Sequence, residues 1–137
     1  MKKLIVVLKG NRNTGKSDIL GKYLKELLGI KGGKKIFLIG NRVGIIIVMS
    51  IQEYIFYKNT LKKLISDKYD IVILASWIDE IILQSKYFKS TIKEYLDNNY
   101  KEKYTYKEFY TQKVEANQIK NTNKEIARQI YNTITKK

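Results

Sequence analysis

The octapeptide Gly10-Asn11-Arg12-Asn13-Thr14-Gly15-Lys16-Ser17 constrains this chain more than any other stretch. It reads G-x-x-x-x-G-K-[ST], and each fixed position has a physical reason. Gly10 and Gly15 permit a tight turn and let the backbone approach an anion with no Cβ in the way. The N–H groups of such a loop point inward, around a diphosphate. A helix beginning at Lys16 adds its first-turn donors and the positive end of its dipole. In such a loop Lys16 would reach the β- and γ-phosphates, and the Ser17 hydroxyl would ligate Mg²⁺. Gly10, Asn11, Arg12, Asn13, Thr14, Gly15, Lys16 and Ser17 are therefore the candidate nucleotide contacts. Lys16 is also a candidate catalytic residue, and Ser17 the candidate metal ligand.

The flanks agree with that reading. Leu4-Ile5-Val6-Val7-Leu8 is a continuous apolar run of strand length, as a strand buried on both faces should be. After the octapeptide, Ile19, Leu20, Tyr23, Leu24, Leu27 and Leu28 fall on one helical stripe, and Gly29 stops the helix. Over Leu4 to Gly29 the chain resembles the opening of a P-loop NTPase-fold protein. The resemblance is to that superfamily and not to one of its families. It implies an α/β three-layer sandwich around a small, mainly parallel sheet, and a nucleoside triphosphate bound with Mg²⁺. No N-K-x-D guanine motif is present, so ATP is expected in preference to GTP.

A length of 137 residues suits one domain spanning 1–137, and no repeat or low-complexity linker divides it. The chain has no Cys, which excludes disulfides and thiolate metal sites, and no His, which removes the usual general base. The five apolar residues between Lys3 and Lys9 are too few for a signal-peptide core. The longest uncharged stretch, Val43 to Gln52, is about half of what crosses a membrane. A cytoplasmic protein with no membrane partner is expected. Net charge is +14. It reads either as attraction to nucleic acid or as a lysine-rich compositional bias, since only three of the 27 basic residues are Arg.

Further along, Ile36-Phe37-Leu38-Ile39 and Val43 to Met49 are two strand-like runs separated by Gly40-Asn41-Arg42. So short a gap cannot hold a crossover helix, so residues of about 36–49 form an antiparallel hairpin, with the more apolar second run deeper in the sheet. Ser50-Ile51-Gln52-Glu53 then sits where a strand ends and a helix, Gln52 to Ser66, begins. At that edge Glu53 is the preferred catalytic acid, with Ser50 or Gln52 as helpers. The alternative is a capping box, Ser50 to Glu53, with no chemical role.

Ile71-Val72-Ile73-Leu74-Ala75 is a third buried strand. In P-loop proteins such a strand ends in an acid (Walker B), but this one runs into Ala75 and Ser76, and acids appear only at Asp79 and Glu80. Trp77 either stacks on a base or packs helix against sheet. A helical pattern runs from Ile78 to Leu96, with a break expected near Ser85. Tyr100 to Val114, dense in Tyr and Lys, reads as an edge strand or as a single-stranded nucleic-acid surface. A last amphipathic helix places Ala116, Ile119, Ile126, Ala127, Ile130 and Ile134 on one stripe. Arg42 and Arg128 are candidates for stabilising transferring-phosphoryl charge, and Lys86, Lys89 and Lys93 could substitute electrostatically.

Three functions follow: an ATP-Mg²⁺-binding nucleoside-triphosphate hydrolase, a small kinase-like phosphotransferase acting on a small molecule or a nucleic-acid end, and a nucleotide-regulated module that binds nucleic acid or a partner.

Overall fold

The computed structural model describes residues 2–11, 15–54, 57–66, 68–85, 90–100, 103–111 and 114–136. Five strands form one sheet in the order β2-β3-β4-β1-β5: β1 is Lys3–Lys9, β2 Ile36–Ile39, β3 Arg42–Ser50, β4 Ile71–Ser76 and β5 Tyr104–Tyr110. β3, β4, β1 and β5 run parallel, and β2 pairs antiparallel with β3. The hairpin is where the three-residue gap requires it, with the more apolar strand inside and β2 at the edge. β5 is the opposite edge, as the Tyr/Lys segment suggests.

Helices cover both faces. On one lie α1, continuous over Lys16–Asp18, Ile19–Leu24 and Lys25–Leu28, and α5, Ile119–Thr135. On the other lie α2, Tyr57–Ser66, and α4, Ile92–Tyr100. The short α3, Asp79–Gln84, follows β4. The period-2 alternation of each strand sorts the core. Val6, Leu8, Ile46 and Ile73 meet Leu20, Leu24, Ala127 and Ile130. Ile5, Val7, Ile47 and Leu74 meet Leu61, Leu64 and Leu96. β4 is buried at all six positions, which is why its sequence is a run and not an alternation.

Local structure departs from the sequence reading in four places. First, α1 spans the expected residues, but Ile19–Leu24 is π-helical, a rare geometry that recurs at functional sites. Its inward stripe continues to Leu28, partly buried against the core, while Leu27 is exposed and off it. Gly29, at φ 74°, closes the helix with Gly29 N–H donating to Glu26 O and Ile30 N–H to Lys25 O, a Schellman motif.

Second, no α-helix starts at Gln52. Ile51–Glu53 is a single 3₁₀ turn, Tyr54 is extended, and α2 is described from Tyr57. Buried Ile51 and Gln52 pull the turn inward, and Ser50 makes no side-chain cap, so the capping-box reading of Ser50 and Glu53 fails. The same S/T-x-x-E pattern is built instead at Thr91 and Glu94. There the Glu94 N–H donates to Thr91 Oγ1 at 3.2 Å, and the Thr91 hydroxyl and N–H donate to Glu94 Oε1.

Third, Ala116 and Ile119 are exposed, and buried Asn123 begins the inward face of α5. Fourth, the Ile78 to Leu96 pattern is two helices. Ser85 is extended at the end of α3, in line with the expected break, while Lys86, Phe88 and Lys89 lie outside the described residues, as do Ile55 and Phe56.

Gly44 carries a structural prediction. A Cβ there would collide with Phe37 Cζ, because the buried Phe37 ring lies across Gly44 on the neighbouring strand. Gly44→Ala is expected to cost about 2 kcal/mol by overpacking, read as a lower urea midpoint at unchanged slope. Combining it with Phe37→Leu should recover part of the loss. An unchanged midpoint for the single variant would exclude the steric account.

Candidate functional site

β1 ends at Lys9, and its end is fixed from both sides. The Gly10 N–H donates to Ser76 O at 3.1 Å, and the Thr111 N–H to Lys9 O at 3.0 Å. From this edge β1 leads to α1 on one face, while neighbouring β4 leads on towards α4 on the other. Adjacent strands that exit to opposite faces leave a crevice at their carboxyl ends, the usual ligand position in an open α/β sheet. Arg12, Asn13 and Thr14 lie outside the described residues. Gly15, at φ 91°, resumes the chain, and a Cβ there would stand 2.9 Å from Asn123 Nδ2. So α5 packs its amide on the turn into α1.

Lys16 opens α1 and is buried. Its Nζ donates to Gly10 O at 2.5 Å and to Asn11 O at 3.0 Å. Burial pushes its pKa below the ordinary lysine value, opposed by the negative charge of Glu53. No carboxylate lies within ion-pair distance of it among the described residues. Gly15 provides no side-chain cap, and the first-turn N–H groups of a helix have no acceptor within it.

Lys16, Ser17 and Glu53 line one end of a cleft of about 800 Å³. The cleft follows the flank of α1 past Gly21 to Lys25. Its opposite wall comes from an irregularity in β3: between Ile47, which pairs with Leu74, and Ser50, which pairs with Ala75, two extra residues bulge out. The bulge turns Val48 and Met49 towards α1, where Val48 Cγ1 is 3.2 Å from where a Cβ on Gly21 would be. Tyr54 and Trp77 complete the apolar lining.

Gln52 locks the base of the cleft. Its amide donates to Ser76 Oγ at 2.8 Å and accepts from Trp77 N–H at 3.0 Å, while the Ser76 hydroxyl donates to Trp77 O. Both amide atoms are thus occupied in joining the ends of β3 and β4, and Gln52 acts as a brace. Ser50 lines the cleft, buried. Trp77 both packs and lines, being buried yet on the cleft wall.

The two arginines described are elsewhere. Arg42 begins β3, at the amino edge of the sheet, and its Nη2 donates to Ile134 O at 2.5 Å, at the end of α5. Arg128 is exposed and pairs with Glu125 at 3.1 Å. Neither lines the cleft. Asp79 does not curl back towards Lys16: it pairs with Lys9 at 2.9 Å, and Glu80 is exposed. No group of three or more metal-ligating side chains exists among the described residues. A cation here would rest on the Ser17 hydroxyl, on the single carboxylate of Glu53 and on oxygens of its own ligand.

The sequence reading passed over Lys9. It occupies an inward position of β1, in phase with Ile5 and Val7, and is 1 % exposed. That phase was the available signal. Lys9 Nζ also donates to Glu108 Oε1 at 2.6 Å, and Glu108 accepts from the hydroxyls of Tyr106 and Tyr110, both at 2.8 Å. Burial would lower the Lys9 pKa, but Glu108 and Asp79 outweigh it and hold it above the usual value. Burial would raise the Glu108 carboxyl, but Lys9 and the two tyrosines hold it low. Burial and the Glu108 carboxylate push Tyr106 well up. Tyr104, pushed up by burial and by donating to Asp97, and Tyr106 both lie under Lys93, 5.8 and 5.4 Å from the ring centres. These two rings are engaged within the fold and not offered for base stacking.

No protein-family model matches the chain, and no curated protein or solved structure matches it either. Among the described residues no helix is long and apolar enough to cross a membrane.

Proposed function

We propose that the protein is a P-loop NTPase that binds ATP with Mg²⁺ and cleaves the terminal phosphate. The observation that carries this reading is Lys16. It is a buried cation at the uncapped N-terminus of α1, beside Ser17 and facing Glu53, with no carboxylate partner among the described residues. Buried charges are ordinarily paired, so an ammonium in this position calls for an anion from outside. The first-turn N–H groups of α1 supply further donors. Ser17 holds the metal, which when bound neutralises phosphate charge. Glu53 orients the attacking water, taking the place of the acid missing after β4.

The test follows γ-labelled ATP with Mg²⁺, alone and with 5′-hydroxyl oligonucleotides and small hydroxyl acceptors. Release of labelled phosphate by the protein alone is the expected outcome. Glu53→Gln keeps the shape and removes the charge, and is expected to lower turnover by about 10²-fold with little change in ATP affinity. Turnover equal to the wild type would remove Glu53 from the chemistry.

A second reading, phosphoryl transfer to a small acceptor, is favoured by one observation. The cleft continues past Ser17 along α1 to Lys25, further than the phosphate chain alone requires.

A further inference from the structure

Among the described residues three lysines are more than nine-tenths buried: Lys9, Lys16 and Lys25. Lys9 sits between two carboxylates. Lys16 is assigned above to the triphosphate. Lys25 has neither explanation. Its Nζ donates to the Gly32 carbonyl at 2.8 Å, and among the described residues it has no carboxylate partner. One neutral carbonyl uses one of three ammonium donors and leaves the charge uncompensated.

Lys25 also has a definite place. Ser17, Gly21 and Lys25 recur every four residues on the flank of α1 and line the same cleft. Lys25 is thus about two turns of helix further on than Ser17. Around it the wall is built by Gly32, Gly33 and Lys35. Gly33 has no positive φ, and nothing lies within 4 Å of where its Cβ would be. Neither packing nor turn geometry explains a glycine there, whereas close approach of a ligand to the backbone does. The groove therefore has a cationic end at Lys16, an apolar middle at Val48 and Met49, and a second cationic end at Lys25 and Lys35.

We propose that Lys25, Lys35 and the backbone at Gly32 and Gly33 form a second anion subsite, which takes the phosphate of a small phosphomonoester, the acceptor of a phosphoryl transfer. Two lysines match a dianion, and a phosphomonoester carries about −1.5 to −2 at neutral pH. The apolar stretch between the two ends accommodates its carbon frame. The inference rests on the phosphate-loop reading of Lys16 and Ser17. In the transfer, the acceptor hydroxyl oxygen bonds to the γ-phosphorus. The bond from that phosphorus to the bridging oxygen breaks, and ADP leaves with the electron pair. The hydroxyl proton passes to the Glu53 carboxylate.

Trp77, the sole tryptophan, lines the cleft and serves as its fluorescent reporter. Its fluorescence is followed while the protein is titrated with ribose 5-phosphate, thymidine monophosphate and glycerol 3-phosphate, and separately with Mg-ATP. At least one monoester should bind below millimolar concentration. Lys25→Gln should weaken it at least about tenfold, the scale of a lost charged hydrogen bond, and leave Mg-ATP affinity within about twofold. Lys35→Gln is the companion variant. Lys35 is exposed, so its loss leaves the fold intact if the Lys25 change disturbs the 29–35 loop. Lys16→Met should do the reverse, weakening the Mg-ATP response by about tenfold to a hundredfold and keeping the monoester response. The proposal falls if Mg-ATP binds and no monoester does, or if Lys25→Gln and Lys35→Gln leave monoester binding unchanged or weaken both ligands alike. It falls also if only a 5′-phosphorylated oligonucleotide binds. Monoester binding that depends on Lys25, in a protein that ignores Mg-ATP, would uphold the subsite and overturn the phosphate-loop reading.

Discussion

Lys9→Met is expected to destabilise the protein by about 2–3 kcal/mol, somewhat less than the roughly 3–5 kcal/mol that follows when a fully buried pair loses one partner. Methionine preserves most of the aliphatic stem. The loss is therefore electrostatic: Glu108 and Asp79 keep their charges at a partly dry sheet edge without the ammonium that compensates them. Their side chains are 28 % and 39 % exposed, so solvent recovers part of the deficit. For a chain of this size the shift corresponds to a melting temperature lower by about 7–10 °C. Lys9 and Glu108 should be energetically coupled, so Lys9→Met with Glu108→Gln should be less destabilised than the sum of the two singles. Strict additivity would mean that the 2.6 Å contact contributes nothing.

The pH dependence of the same network has a definite sign. The Lys9 pKa is raised, so its contribution is complete below the ordinary value of 10.5 and is lost as pH rises through the folded value. Tyr104 and Tyr106 are raised as well and add to the alkaline loss. The Glu108 pKa is lowered, so its contribution is present above the ordinary 4.5 and is lost as pH falls through the folded value. The difference between wild type and Lys9→Met should thus be largest near neutrality and shrink in acid, as Glu108 protonates. Unfolding measured at neutral pH and near pH 3 checks this, and a difference independent of pH would contradict it.

What the sequence discloses and what it conceals follow from the range of the forces involved. The hairpin was legible because three residues cannot cross a sheet, and β4 because a strand buried on both faces has no polar position. The edge position of β5 followed from its lysines. The elements of the cleft that were not legible are those set by partners distant in sequence. Asn123 on Gly15 joins residues more than a hundred apart, and no local period marks an amide as inward. The β3 bulge and the π segment of α1 arise where two elements press together at Val48 and Gly21. The pattern S/T-x-x-E occurs at both Ser50 and Thr91. Only the second becomes a cap, since Ile51 and Gln52 are drawn into the core and the first turn never extends into a helix. Nothing within the 29–35 link marks it, because its Gly32 carbonyl is engaged by buried Lys25 on the preceding helix.

The same substitution at Lys16 is expected to act in the opposite direction on stability. Lys16→Met removes a buried ammonium that, in contrast to Lys9, has no carboxylate within ion-pair distance among the described residues. Its depressed pKa means that the fold disfavours the charged form, so the protein without nucleotide should be at least as stable after the change. Two hydrogen bonds to the Gly10 and Asn11 carbonyls are lost, which offsets part of that gain. ATP affinity, however, should fall by about tenfold to a hundredfold, the equivalent of a charged hydrogen bond of roughly 1.5–3 kcal/mol. Turnover should fall further, by about 10²–10³, because the ammonium stabilises charge that develops on the transferring phosphoryl group. Thermal unfolding of the nucleotide-free proteins, Mg-ATP titration and labelled-phosphate release read these three effects separately. Retained or improved stability with lost binding is the signature of a residue held for a ligand at the expense of the fold. Lost stability with unchanged ATP affinity would make Lys16 a structural clamp on the Gly10–Asn11 turn, and the phosphate-loop reading would fall with it.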